Sequence, residues 1–295
     1  MYYLIGLFLL ILVKIRTAVQ GYRRPKPFST SEHEALSIDY DIEVVENWLN
    51  NLEKNSVDRE WIYGKSVLEL GPGSDVGTGV ILLASGANKY TAVDVNNLMT
   101  ETSPSFYNNL IKKLDESRKY PFLNVAKEAV EDLVSGDSSS NIEYHCRENF
   151  DLSNMFNENS FDLLVSQAAF EHFANIEKTI SQLSPLLKKD GKLVIVVDLM
   201  THTRWIRDVD PNNIYRFPAW LYKALNYPGA PNRKRPYHYL NALTANGWID
   251  ISIEAIQDLD QFGLKVDSHG NLHKDFLSEK NQMEMLEIVI VATKV

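Results

Sequence analysis

Cysteine is all but missing from this chain: Cys146 is alone among 295 residues. One thiol cannot build an internal disulfide framework or a cysteine-rich zinc site, so nothing requires an oxidising compartment and no metal is expected. Its place in an apolar, strand-like run predicts a buried structural thiol. Overall positive charge is lacking too. A net charge of -9 excludes the profile of a dedicated nucleic-acid binder. The chain also has no internal repeat and no low-complexity tract. What is present, 44% hydrophobic and 23% charged residues, is an ordinary globular composition able to bury a sizeable core.

Charge is absent again from residues 1–13, where Tyr2 to Val13 is apolar apart from Gly6. Lys14, Arg16, Arg23, Arg24 and Lys26 follow. As a helix the apolar run spans about 20 Å, short of a hydrocarbon core of roughly 30 Å. A cleavable export signal would carry its basic residues before the apolar run, and the order here is the reverse. The basic cluster suits an anionic cytoplasmic leaflet. Residues 1–26 are therefore read as a short membrane-dipping anchor, with a helix packed on a partner or over the substrate entrance, and an atypical signal, as alternatives. Residues 1–30 form this helix and its basic linker, and 31–295 form the main domain.

Beyond an amphipathic helix at 38–52, short apolar strands alternate with helices. Strands are expected at 66–70, 90–95, 142–146, 161–166 and 192–197, and helices at 77–86, 104–119, 121–134 and 172–188. That rhythm predicts an α/β fold: a doubly wound, mostly parallel sheet with helices on both faces. It breaks after residue 198. A helix at 236–246, a strand at 249–254, a polar loop or hairpin over 256–283 and a strand at 286–293 complete seven strands.

The strongest local signal is Glu69-x-Gly71-x-Gly73, directly after a strand and before a helix. Glycines let the backbone turn sharply and approach a ligand, and the helix N-terminus offers free N–H groups. Asp94 ends the next strand, where a carboxylate can accept hydrogen bonds from a ribose diol. A dinucleotide fingerprint needs a third glycine where Val76 stands; Gly77 is one position late. Glu69 also disfavours a nearby pyrophosphate and suits a ligand carrying a cationic amine.

Val67-Leu68-Glu69-Leu70-Gly71-Pro72-Gly73 resembles the first motif of class I (Rossmann-like) S-adenosylmethionine-dependent methyltransferases, and Ala92-Val93-Asp94 resembles the second. Ser160 to His172 is similar to the fourth-strand motif of the small-molecule branch that includes quinone-biosynthesis methyltransferases. Leu186 to Ile195 resembles the entry to the fifth strand. The resemblance implies S-adenosylmethionine as cofactor, with Glu69, Gly71 and Gly73 at its methionine end and Asp94 on the ribose. It also implies Asp151 near the adenine amine, although the usual Gly-Asp pair is absent there, and Gln167 beside the sulfonium. The Asn-Pro-Pro-Tyr-type tetrad of nucleic-acid methylation is missing; Ser166-Gln167-Ala168-Ala169 stands in its place.

Residues 199–240 read as a cap over the site. The segment 200–240 holds seven lysines and arginines against two aspartates, a local balance of +5, and eight aromatic residues. Arginines suit carboxylates or phosphates, and aromatics supply apolar or sugar-stacking walls. Arg204, Trp205 and Arg207 are the expected substrate contacts for a small, lipid-linked or saccharide acceptor, anionic in part. Transfer to a hydroxyl needs a base. His202, just past the fifth strand, is the first candidate, His172 the second and His238 the third. A non-catalytic scaffold retaining the fold is the alternative, and the intact glycine turn and acidic residues argue against it.

Overall fold

The computed structural model describes residues 1–21, 30–99, 102–136, 141–147, 152 and 154–295. In chain order the helices and strands are α1 (Tyr2–Gln20), α2 (Ser31–Lys54), β1 (Ser66–Leu70), α3 (Gly77–Ala84), β2 (Lys89–Asp94), α4 (Pro104–Ser117), α5 (Leu123–Ser135) and β3 (Ile142–Cys146). They continue with β4 (Phe161–Gln167), α6 (Ile176–Leu183), β5 (Leu187–Asp198), α7 (Arg204–Arg207), α8 (Ala219–Ala224), α9 (Pro236–Ala245), β6 (Trp248–Asp258) and β7 (Met285–Lys294). The seven strands form one sheet in the order β3-β2-β1-β4-β5-β7-β6. β1 to β5 pair in parallel, and β7 runs antiparallel between β5 and β6. The order reverses between β1 and β4, which is where an open α/β sheet leaves a crevice at its carboxyl ends.

Strand alternation sorts the core into two layers. Val67, Tyr90, Ala92, Leu163, Val165, Val194 and Val196 join the side chains of α2, α3, α4 and α5. Their neighbours Leu68, Leu70, Val93, Leu164, Leu193, Ile195 and Val197 join α6 and α9 on the opposite face. The same alternation carries Glu69, Gln167, Asp198 and Glu287 onto the α2 face, so polar groups cross the carboxyl end of the sheet beneath one helix.

Two expectations need correction. Residues 172–188 are not one helix. A 3-10 turn covers Phe170–His172, α6 begins at Ile176 behind the capping side chain of Asn175, and Pro185 lies in the turn that ends it. Cys146 is exposed rather than buried, because β3 is the edge strand and its last residue lies at the open end.

α1 outruns its apolar stretch. Lys14, Arg16, Ala18 and Gln20 favour helix, and Gly21 at φ +72° ends it. At 19 residues it is about 28 Å long, and by length and composition it is apolar enough to cross a membrane. One stripe, Gly6, Leu9 and Leu10, is buried. Leu10 packs with Ile214, Tyr215, Phe217, Tyr222, Leu272, Phe276 and Met283 in a separate small core, so the segment after β5 and the loop before β7 close around one cluster.

Candidate active site

The glycine turn leaves β1 with Gly71 at φ +72° and Gly73 at φ +84°. Gly71 donates its N–H to the Val93 carbonyl at 2.9 Å, tying the turn to β2. A Cβ on Gly71 would meet the Ala169 side chain at 2.7 Å, whereas a Cβ on Gly73 would stand in open space. The first glycine is thus required by packing. The second leaves the backbone approachable.

Asp94 closes β2 beside this opening. Its Oδ2 accepts from Gly73 N–H at 3.3 Å and its Oδ1 from Asn96 N–H at 2.8 Å. Burial raises its pKa and these N–H donors oppose the rise. Glu69 lies deeper, 1% exposed. Its Oε2 accepts 2.7 Å hydrogen bonds from both Thr78 Oγ1 and Tyr90 Oη, which joins the first turn of α3 to β2. Burial pushes its carboxyl up to about 7, against those two donors. Glu69 therefore sits behind the glycine turn as buried electrostatic backing rather than at its surface. Asp151, expected near the adenine, lies outside the described residues.

Helix α2 contributes groups that strand and motif reading did not single out. Asp41 lies against the Asp75 carboxyl, whose Oδ1 accepts from Gly77 N–H at 2.8 Å. Burial, then the neighbouring Asp75 charge, hold the Asp41 carboxyl well above the usual carboxylate range. Burial raises Asp75 as well, against the Gly77 N–H donor. One residue earlier, Tyr40 hydrogen-bonds Gln167 at the end of β4. Tyr40 followed by Asp41, seven residues before a buried tryptophan on one helix, was the only available signal.

Past β4 and β5 the chain assembles a second constellation. Glu171 is 2% exposed, and burial raises its pKa well above the ordinary range. His172 Nε2 lies 4.0 Å from Glu171 Oε1, and the His172 and His202 ring centroids are 5.0 Å apart. His202 Nε2 stands 3.2 Å from Asp198 Oδ2, the oxygen that Arg207 Nη1 reaches at 2.7 Å. Burial works to raise Asp198, but His202 and Arg207 hold it below its ordinary value. Burial, then His202, push His172 down to about 4, so it is neutral at physiological pH.

A cleft of about 670 Å³ opens beside His172, lined among others by Tyr222, Lys223, Tyr227 and Arg233 of the segment after β5. Within that segment Arg204 and Trp205 are exposed, Trp205 at 81%, while Arg207 is engaged by Asp198. Other arginines are structural. Arg216 binds Asp210 through Nε and Nη2. Arg233 donates to the Ile214 and Phe217 carbonyls, and the fully buried Arg235 donates to those of Asn281, Gln282 and Met285. His238, the third base candidate, accepts the Arg235 backbone N–H on its Nδ1 and so caps α9.

A sheet of this order, a glycine turn at its crossover and a carboxylate at the end of the second strand define a Rossmann-like transferase site for a nucleoside cofactor without a pyrophosphate. Residues 43–267 match the family described as Methyltransferase domain, and the chain belongs to that family: it is an S-adenosylmethionine-dependent methyltransferase. No curated protein matches the sequence. Among solved structures the chain is similar to an S-adenosylmethionine-dependent methyltransferase from Mesorhizobium loti, at 14% identity and a TM-score of 0.43, over 81% of this chain and 100% of that one. It is also similar to phosphoethanolamine N-methyltransferase 2 of Haemonchus contortus, solved with S-adenosyl-L-methionine, at 16% identity and a TM-score of 0.47, over 87% of this chain and 52% of that one. The residues fit the cofactor. The open space over Gly73 admits a ligand against the backbone, Asp94 offers a carboxylate to a diol, and the buried Glu69 carboxyl, once ionised, suits a cationic ligand.

Proposed function

We propose that the enzyme methylates an oxygen of a small, lipid-linked or saccharide acceptor at a membrane surface. The carrying observation is the placement of His172 and His202, with Asp198 and Glu171, at the carboxyl ends of β4 and β5, where His172 also lines the cleft formed by the segment after β5. When bound, the cofactor supplies an already activated methyl group. What remains for the protein is to align the acceptor, exclude water and remove a proton. The acceptor hydroxyl loses its proton at the histidine cluster, where Asp198 orients His202 and His172 is held neutral. Tyr222 and Tyr227 supply aromatic walls, and Lys223, with Arg204 and Trp205 on the cap's exposed surface, suits an anionic group on the acceptor.

The membrane side of the reading rests on α1. Leu4, Phe8, Ile11, Leu12, Ile15 and Val19 are exposed along one continuous helical stripe, opposite the stripe that packs on the cap. Lys14 and Arg16 follow the apolar run, and Arg23, Arg24 and Lys26 continue the basic sequence, which suits the anionic cytoplasmic face of a bilayer.

The test is transfer of isotopically labelled methyl from S-adenosylmethionine to membrane-lipid, glycolipid and soluble sugar fractions, with the methylated atom located by mass spectrometry. His202→Ala should lower turnover by about 10²–10⁴-fold while S-adenosylhomocysteine affinity holds. Arg204→Glu should weaken acceptor use with the same indifference to cofactor. Full turnover by His202→Ala, or methyl found on carbon or nitrogen, discards the oxygen reading.

A further inference from the structure

We propose that Glu171, His172 and His202 bind one divalent transition-metal ion of the zinc class at the mouth of the acceptor cleft. One ligand atom from each of the three lies within 4.8 Å of the other two. Glu171 comes from the turn after β4, and His202 follows the end of β5, 31 residues later in the chain, so the set exists only in the folded sheet.

An independent observation points to a ligand. Glu171 Oε2 is buried without a hydrogen-bond partner among the described residues, whereas His202 Nε2 faces Asp198 Oδ2 at 3.2 Å. A buried carboxylate oxygen left unpaired costs about 1–3 kcal/mol or more, and a fold retains such an atom where something else satisfies it. A water or a proton on Glu171 would satisfy one atom. A cation satisfies that oxygen and draws as well on the imidazoles of His172 and His202 beside it.

The donor chemistry selects the ion. Two imidazoles and one carboxylate, with no thiolate, form the donor set of catalytic zinc sites that keep a fourth position open. Oxygen-only cations such as Mg²⁺ are disfavoured by two nitrogens. At ligand distances of about 2.0–2.2 Å, tetrahedral donors stand roughly 3.4 Å apart, so closure from the present spacing asks about an ångström of side-chain adjustment. Second contacts are in place. His172 hydrogen-bonds the Gly229–Ala230 backbone, and Asp198, itself held by Arg207, meets His202 at Nε2 and orients the ring. His172 also lines the cleft, so an ion held there would border it.

Such an ion deepens the proposed oxygen chemistry and rests on it for its catalytic meaning. It would lower the pKa of a coordinated hydroxyl, so that the O–H proton leaves to water at the same cluster, which then promotes its loss through the ion. Ion binding itself is independent of what is methylated.

The experiment is calorimetric titration of the full, chelator-treated chain with Zn²⁺ alone, beside Co²⁺ absorption spectroscopy. The expected result is one site, tighter for Zn²⁺ than for Mg²⁺, and the intense visible bands of four- or five-coordinate cobalt. Glu171→Gln and His202→Ala should each weaken Zn²⁺ binding by more than the roughly 10–100-fold expected of the outer-contact variant Asp198→Asn, with S-adenosylhomocysteine affinity unchanged as proof of folding. No saturable Zn²⁺ binding by the parent chain, or undiminished binding by a folded Glu171→Gln, overturns the proposal. Either outcome leaves the oxygen-methylation reading to its own assay, and the failure of that assay leaves the Zn²⁺ result standing.

Discussion

Glu69 occupies a strand position whose neighbours on the same face, Val67, Ala92 and Val165, are core side chains. Burial pushes its carboxyl up to about 7, so near neutral pH a small change in proton activity alters the charge behind the glycine turn. In the free protein the folded carboxyl holds its proton to about pH 7, whereas the unfolded one loses it near its ordinary 4.5. Stability contributed by this group is therefore full at low pH and falls as pH rises through that window. Cofactor binding has the opposite sign, because a cation favours the ionised form. Affinity for S-adenosylmethionine should weaken below about pH 7, toward roughly tenfold per pH unit, and Glu69→Gln should flatten the profile. Calorimetry between pH 5.5 and 8 checks it; a parent profile as flat as the variant's refutes it. The two turn glycines separate in the same way. Both lie in the left-handed region, so alanine costs about 1–2 kcal/mol at either. Gly71→Ala also strikes Ala169 and should lower the melting temperature further, whereas Gly73→Ala should chiefly lose cofactor affinity. Equal stability losses in the two variants would contradict this division.

At the scale of elements, the sheet was legible because its strands are short and apolar and its helices amphipathic, so periodicity alone marked most of their boundaries. The glycine turn was legible because its chemistry is local. Tyr40 and Asp41 were not, because a helix two elements before the turn reaches the site only by crossing the sheet. Glu171, His172 and His202 were visible singly, but their convergence depends on β4 and β5 being adjacent. The cap misled through its charge. Counting arginines does not reveal whether a guanidinium faces solvent or carbonyls, and Arg216, Arg233 and Arg235 face inward. Arg235 joins the start of α9 to the carbonyls at 281, 282 and 285, without an acidic partner among those contacts. Arg235→Leu leaves those acceptors buried and unpaired, and should cost about 3 kcal/mol or more in chemical denaturation. A loss below about 1 kcal/mol would show that water or a shifted neighbour replaces the guanidinium.

For the whole molecule, α1 is held between two demands. Its inner stripe completes the cap's small core through Leu10, and Asn213 Nδ2 donates to the Tyr2 carbonyl at 3.1 Å. Tyr3 meets Phe217 with ring centroids 5.0 Å apart, and Lys14 donates to the Ala224 carbonyl. Ala224 is the last residue of α8, so this bond ties the end of α8 to α1, and Trp220 of α8 is 71% exposed. An exposed tryptophan suits the headgroup level of a bilayer. Docking there would bring the cap and its cleft to the lipid surface, from which a lipid-linked acceptor is taken without leaving the membrane. Gly6 distinguishes the two demands, because a Cβ at this position collides with the Asn213 amide. Gly6→Val should prise α1 from the cap and lower the melting temperature, yet leave flotation with vesicles of anionic phospholipid intact, since the outer stripe is untouched. Removing residues 1–21 should abolish flotation. If the shortened chain floats as well as the full one, the outer stripe is not what holds the enzyme at a membrane, and the acceptor must be sought in solution.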